Sequence, residues 1–340
     1  MNMDRKDFDR YLSQGSLPSV LLFEGEEEHL KQAALEAMQK KLLPEGLEEL
    51  NRTVLDEAET DRIIAAAETL PFMAERRLVI IRDHPALVGR AEADERLANY
   101  LPAVPASAVL LFYCTQKPDG RKKLYSVIKK LNGIFVFSPL RDRELTLFVT
   151  DAFRELGKEC DERTADFLIF TCGSDTGLLL SEIAKVAAHA GNAPSIHPDS
   201  VRAVATPSTE CTVFQMVDAV VTGQGSRAFL LMRNQLLAGA DRMYMLSMLL
   251  RQFRLLQHIK IMQYEKRSSA DIRSALGVPP FAVDQYVRQA AGWTNGQVKK
   301  AVGICFDTEY GVKSGHLNQD GALEAVMLKL LNLRDTPRKD

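Results

Sequence analysis

A protein that alternates short apolar strands with helices and hydrolyses nucleotide carries G-x-x-x-x-G-K-[ST] after its first strand. Its glycines turn backbone amides inward, its lysine meets the phosphates and its hydroxyl holds Mg²⁺. No such sequence occurs in these 340 residues. The six histidines (29, 84, 189, 197, 258, 316) are scattered, without HExxH or any paired spacing, so no metal site is expected. GxSxG is absent too. The five cysteines (114, 160, 172, 211, 305) form no CxxC pair and no even framework, which argues against a disulfide scaffold and for a reducing compartment. No apolar run approaches the roughly 18–20 residues that span a bilayer. The N-terminus MNMDRKDFDRYLSQG lacks the apolar centre of a signal peptide. A cytoplasmic protein is expected. Net charge is only -2, so no global excess points to nucleic acid or membrane. Charge is uneven, however: -3 over residues 1–140, -5 over 141–212 and +6 over 213–340.

What is present divides into two styles. Residues 19–138 alternate strand-like runs (19–23, 52–56, 76–81, 107–114, 133–138) with helical patterns (26–43, 59–70, 91–101, 121–131). Short apolar runs separated by helices mean βαβ units and a mostly parallel sheet covered on both faces. Thr60 or Asp61 is expected to cap the second helix. After Pro139 the strand signals stop. Residues 140–205 read as three or four short helices, the last starting near Pro198, and 206–212 (TPSTECT) as a polar linker. From Val213 to Leu331 the pattern is again helical. Its longest run, 241–267, carries Leu246, Leu249, Phe253, Leu256 and Ile259 along one stripe. The fold class is therefore α/β followed by all-α.

Four stretches invite a functional reading. In SVLLFEGEEEHLKQAA (19–34) the first strand ends at Gly25, where a phosphate loop would begin, but Glu26, Glu27 and Glu28 follow. Three carboxylates suit a helix N-terminus and repel a triphosphate. The strand LVIIRDH ends in Asp83, which is a remnant metal carboxylate or, more simply, a surface turn. In AETLPFMAERRLVII (67–81) Pro71 ends a helix, leaving Leu70, Phe72 and Met73 in the turn before a core strand. That apolar cluster either folds back onto the sheet or projects outward as an anchor for a partner's pocket. In TQKPDGRKKLYSVIKKLN (115–132) Arg121, Lys122 and Lys123, with Lys129 and Lys130, form either a solvated basic face or a contact for a phosphate backbone. On the long helix, Arg251, Arg254 and His258 share a face apart from the apolar stripe.

In order and spacing these segments, together with LLLSEIAKVAAHAG, VFQMVDAVVTGQGSRAFLLMRNQLLAG, LLRQFRLLQHIKIM, LGVPPFAVDQYVRQAAGW and DTEYGVKSG, resemble the delta subunit family of the bacterial DNA polymerase III clamp loader over roughly residues 17–331. The resemblance implies a clamp-loader AAA+ architecture. A RecA-like domain (1–140) would lack a working phosphate loop, with a small helical lid (141–209) and a helical collar (210–340) after it. It implies a subunit that binds the ring-shaped sliding clamp (the beta ring) and helps open it for loading onto primed DNA, without hydrolysing ATP and with no cofactor. That subunit would sit inside a complex with DNA-directed DNA polymerase activity. The implied partners are the clamp, the motor subunits gamma/tau, delta-prime and primer-template DNA, with no membrane. Carried onto this chain, the clamp-binding element falls on Leu70, Pro71, Phe72 and Met73. Gly25 and Glu26–Glu28 stand as a degenerate phosphate-loop position, and Arg121, Lys122 and Lys123 as possible DNA contacts. The competing readings are a non-catalytic AAA+-like adaptor and a divergent NTPase outside replication.

Overall fold

The computed structural model describes every residue except 1–2, 57–58, 90–93, 269–270, 273–274, 276–279 and 336–340. The chain forms two compact units, Met1–Leu140 with Asp175–Gly177, and Arg141–Ser174 with Leu178–Asp340.

The first unit is built on strands β1 (Val20–Glu24), β2 (Arg52–Asp56), β3 (Arg77–Arg82), β4 (Ala108–Tyr113) and β5 (Ile134–Val136), paired in parallel in the order β2-β3-β4-β1-β5. Its helices are α1 (Arg5–Ser13), α2 (Glu28–Leu42), α3 (Glu48–Asn51), α4 (Thr60–Glu68), α5 (Pro85–Val88), α6 (Glu95–Tyr100) and α7 (Lys123–Lys130). All six residues of β4 are buried, which is why it reads as an unbroken apolar run rather than an alternation. On one face Val20, Leu22, Leu110 and Phe112 pack with Ile63, Leu87, Leu97 and Ile128 from α4 to α7.

The other face holds an element that residue patterning did not suggest. Helix α1 opens with a reciprocal cap between Asp4 and Asp7. It buries Phe8 edge-on to Phe23 and Phe135, with ring centroids 5.1 and 5.4 Å apart. A short, highly charged helix holds there because one aromatic side chain fills the space over β1 and β5.

Two expectations in this unit are corrected. Neither Thr60 nor Asp61 caps α4. Glu59 occupies the cap without a side-chain bond, the Thr60 hydroxyl donates to Asp94, and Asp61 pairs with Arg96. The helix expected from residue 91 is seen from Glu95, and 91–93 lie outside the described residues.

The second unit begins with α8 (Asp142–Glu155), α9 (Glu162–Cys172), α10 (Thr176–Ala190, whose first two residues count with the first unit) and α11 (Pro198–Val204). Strand signals do not end at Pro139: β6 (Glu159–Cys160) and β7 (Ser195–Ile196) pair in parallel, too short to show a period in sequence. Then come α12 (Thr209–Thr222), α13 (Gly225–Leu237), α14 (Arg242–Tyr264), α15 (Pro280–Ala291), α16 (Asn295–Lys313) and α17 (Ala322–Asp335). The expected linker 206–212 is shorter than its composition suggests, because Ser208 accepts from the Cys211 amide (3.2 Å) and starts α12 inside it. The stripe on α14 is buried throughout and packs in a core that includes Trp293, 5.4 Å from Phe253. Leu276 to Pro279 of the LGVPP segment lie outside the described residues. Among the described residues, no single helix is long and apolar enough to cross a membrane.

Truncating Phe8→Ala empties the space over β1 and β5. It is expected to destabilise the first unit by about 3–5 kcal/mol, read as a lower urea midpoint and faster hydrogen exchange of the β1 and β4 amides.

Candidate functional site at the two ends of the sheet

The loops after β1 and β4, neighbouring strands, leave in opposite directions, toward β2 and β5 respectively. Parallel sheets bind ligands in the crevice such a switch opens at the carboxyl ends of the strands. Here that crevice is filled by the chain's own groups. The Lys31 ammonium is fully buried and donates to the Cys114 carbonyl (2.7 Å). It also pairs with Glu28 (2.8 Å) and lies 5.3 Å from the Tyr113 ring centroid. The Tyr113 hydroxyl donates to the other Glu28 oxygen (2.6 Å). Burial, then the bond to Glu28, raises the Tyr113 phenol above its ordinary pKa, and burial pushes the Cys114 thiol up to about 12.

The amides that a phosphate would need are also engaged. Glu27 N–H donates to the Phe137 carbonyl (3.2 Å) and Glu28 N–H to the Glu26 carbonyl (3.1 Å). The Glu27 carboxylate accepts from the Thr176 hydroxyl (2.7 Å), within the same unit. Gly25 has φ +121°, and a Cβ there would fall 2.1 Å from the Phe137 carbonyl oxygen. Its glycine is explained by close approach of two backbones, with no phosphate involved. Asp83 is the surface turn: at φ +44° it accepts from the Thr115 amide (2.8 Å) and hydroxyl (2.7 Å).

The basic loop beyond β4 is largely occupied. Arg121 forks onto Asp119 through Nε and Nη2, both at 2.9 Å. Lys122 donates to the Pro85 and Gly89 carbonyls (3.0 and 2.6 Å), and Lys123 pairs with Glu95 (3.3 Å). Of the three, Arg121 keeps its side chain most exposed, at 91%. In the second unit, Arg251, Arg254 and His258 line a shallow groove of about 360 Å³ with Glu309.

The apolar turn lies at the opposite, amino end of the sheet, about 20 Å away by the length of β3. Leu70, Phe72 and Met73 are 79, 53 and 79% exposed, while Pro71 is half-buried. They do not fold back onto the sheet. With Leu50 and Val54 they are the exposed large apolar residues of this unit among those described.

The turn is framed by side chains that patterning missed. Asn51, fully buried at the end of α3, accepts from the Phe72 amide (2.7 Å) and donates to the Phe72 carbonyl (2.9 Å). Arg77 donates to the Thr69 carbonyl (3.2 Å) and the Thr53 hydroxyl (2.9 Å). Arg76 reaches the Leu17 and Ala106 carbonyls and the Ser19 hydroxyl. The paired arginines directly before an apolar strand were the available signal. Asn51 offered none, because its partner is 21 residues away.

A solved structure shares this architecture. A Bacillus subtilis DNA clamp loader delta protein (YqeN) superposes with a TM-score of 0.54 at 24% identity, covering 96% of this chain and 99% of that one. The fold is thus of the clamp-loader class. The model of the DNA polymerase III delta subunit matches residues 21–137, and that of the same subunit's C-terminal domain matches 210–330. DNA polymerase III subunit delta of Bacillus subtilis (strain 168) is 25% identical over 334 residues, 96% of each chain. The chain belongs to the DNA polymerase III delta-subunit family.

Lys31→Met removes a buried donor and leaves the Cys114 carbonyl short of a partner. It is expected to cost about 1–3 kcal/mol of stability, measured by denaturant titration. A titration of the unaltered chain with Mg-ATP is expected to show no saturable binding.

Proposed function

We propose that the 70–73 turn is the element by which this delta subunit engages the sliding clamp and helps open its ring. The observation that carries the reading is three exposed apolar side chains within four residues, held on a braced turn at the other end of the sheet from the filled crevice. Exposed apolar clusters of this kind mark protein interaction sites. Each side chain that fills a pocket on the clamp contributes about 1.5–3 kcal/mol. That gain shifts the ring between states only where the pocket differs between them, so the turn must prefer the opened or relaxed clamp. Delta-prime completes the assembly around primer-template DNA, and the motor subunits gamma/tau supply the nucleotide chemistry that the Lys31 network leaves no room for here.

In this reading the first unit presents the turn, and the second comprises a lid (141–209) and a collar (210–340). Direct contact with DNA near residues 121–123 falls to Arg121, whose side chain remains open to solvent. The work takes place in the cytoplasm.

Calorimetry of the purified chain with its own organism's sliding clamp, without nucleotide, tests the reading. Loss of two anchors in Phe72→Ala/Met73→Ala is expected to weaken binding about a hundredfold or more. A folded unaltered chain that does not bind the clamp would favour the adaptor reading, and saturable ATP binding would favour the divergent NTPase.

A further inference from the structure

We propose that Asn51 is the positioning residue of the apolar turn: its buried carboxamide holds the Phe72 backbone so that Leu70, Phe72 and Met73 face outward together. The inference rests on the reading that this turn binds the clamp.

Among the described residues, no backbone–backbone hydrogen bond involves residues 70–76. Water alone would then solvate the turn, and it would sample many conformations. Asn51 supplies the missing ladder. Oδ1 accepts from Phe72 N–H (2.7 Å), and Nδ2 donates to both the Phe72 and Leu47 carbonyls (2.9 and 3.1 Å). Both carboxamide donors are engaged, and the group is completely removed from solvent. Its bond pair to one residue's amide and carbonyl imitates a neighbouring strand.

The next residue carries the load. Met73 sits at φ +48°, in the left-handed region that residues with a Cβ adopt at a cost. Such a conformation persists when its surroundings over-determine it. The Asn51 bonds at Phe72 do so on one side, and the Arg77 bond to Thr69 fixes the start of the turn. An anchor preset in this way binds without first losing backbone freedom.

Only the side-chain amide of asparagine offers a donor and an acceptor at this reach. Asn51→Leu keeps the volume and removes every bond. Asn51→Asp keeps the acceptor for Phe72 N–H but sets a carboxylate against two carbonyls.

The test combines hydrogen exchange with clamp calorimetry. In the unaltered chain the Phe72 amide is expected to be protected although its side chain is exposed. Asn51→Leu is expected to abolish that protection, to leave the Ile80 and Leu111 amides protected, and to weaken clamp binding about tenfold, equivalent to about 1.4 kcal/mol. Asn51→Asp is expected to fall between, and serves if the leucine variant does not fold. A Phe72 amide that exchanges at the unfolded-chain rate in the unaltered protein overturns the proposal. So does a folded Asn51→Leu chain that binds within twofold of the original while Phe72→Ala/Met73→Ala does not bind. Unchanged binding by Phe72→Ala/Met73→Ala overturns the underlying reading instead.

Discussion

An all-parallel sheet must bury both faces, and that requirement places everything else in the first unit. Helices close one face over Leu110 and Phe112, and α1 packs on the other over Phe23 and Phe135. Chemistry and recognition are then confined to the two ends of the strands. The carboxyl end, where proteins of this architecture hold phosphate, is sealed by Lys31, Glu28 and Tyr113. The amino end carries the turn through Phe72. The two ends are far enough apart for one to be closed while the other is exposed.

The ends are stabilised by opposite physics. At the carboxyl end a buried ammonium is tolerated because a carbonyl, a carboxylate and an aromatic ring surround it. Without them its desolvation would be several kcal/mol. At the amino end apolar surface stays in water, which hydrophobic burial alone would disfavour. What keeps it there is polar: a carboxamide and a guanidinium bonded to backbone. Arg76 and Arg77 tie that frame to Ser19 just before β1, to Thr53 of β2 and to Ala106 ahead of β4. The exposed turn is therefore tied to the sheet by side-chain bonds and is not a free loop.

The helical unit answers to a different constraint. Helix α14 is long enough to present its apolar stripe to several partners, and α12, α15, α16 and α17 pack around it. The family's C-terminal model spans α12 to most of α17, so this bundle is a family property. Its polar edges, including Arg251 and Arg254 beside Glu309, remain on the surface.

Much of this could be read from local sequence. Unbroken apolar runs such as AVLLFY identify strands buried on both faces, Pro71 ends α4, and three glutamates after Gly25 argue against a phosphate cradle. These are decided within a few neighbouring residues, where propensity and sterics act directly. Tertiary structure alone decided the rest. Phe72 points outward because Asn51, 21 residues earlier, holds its backbone, and Lys31 is tolerated inside because the carbonyl of Cys114, 83 residues later, accepts its hydrogen bond. Helix α1 is held by Phe8, and β6 finds β7 across 36 residues. Such side-chain bonds join points that chain order separates, and their partners become visible only when the sheet has set the distances.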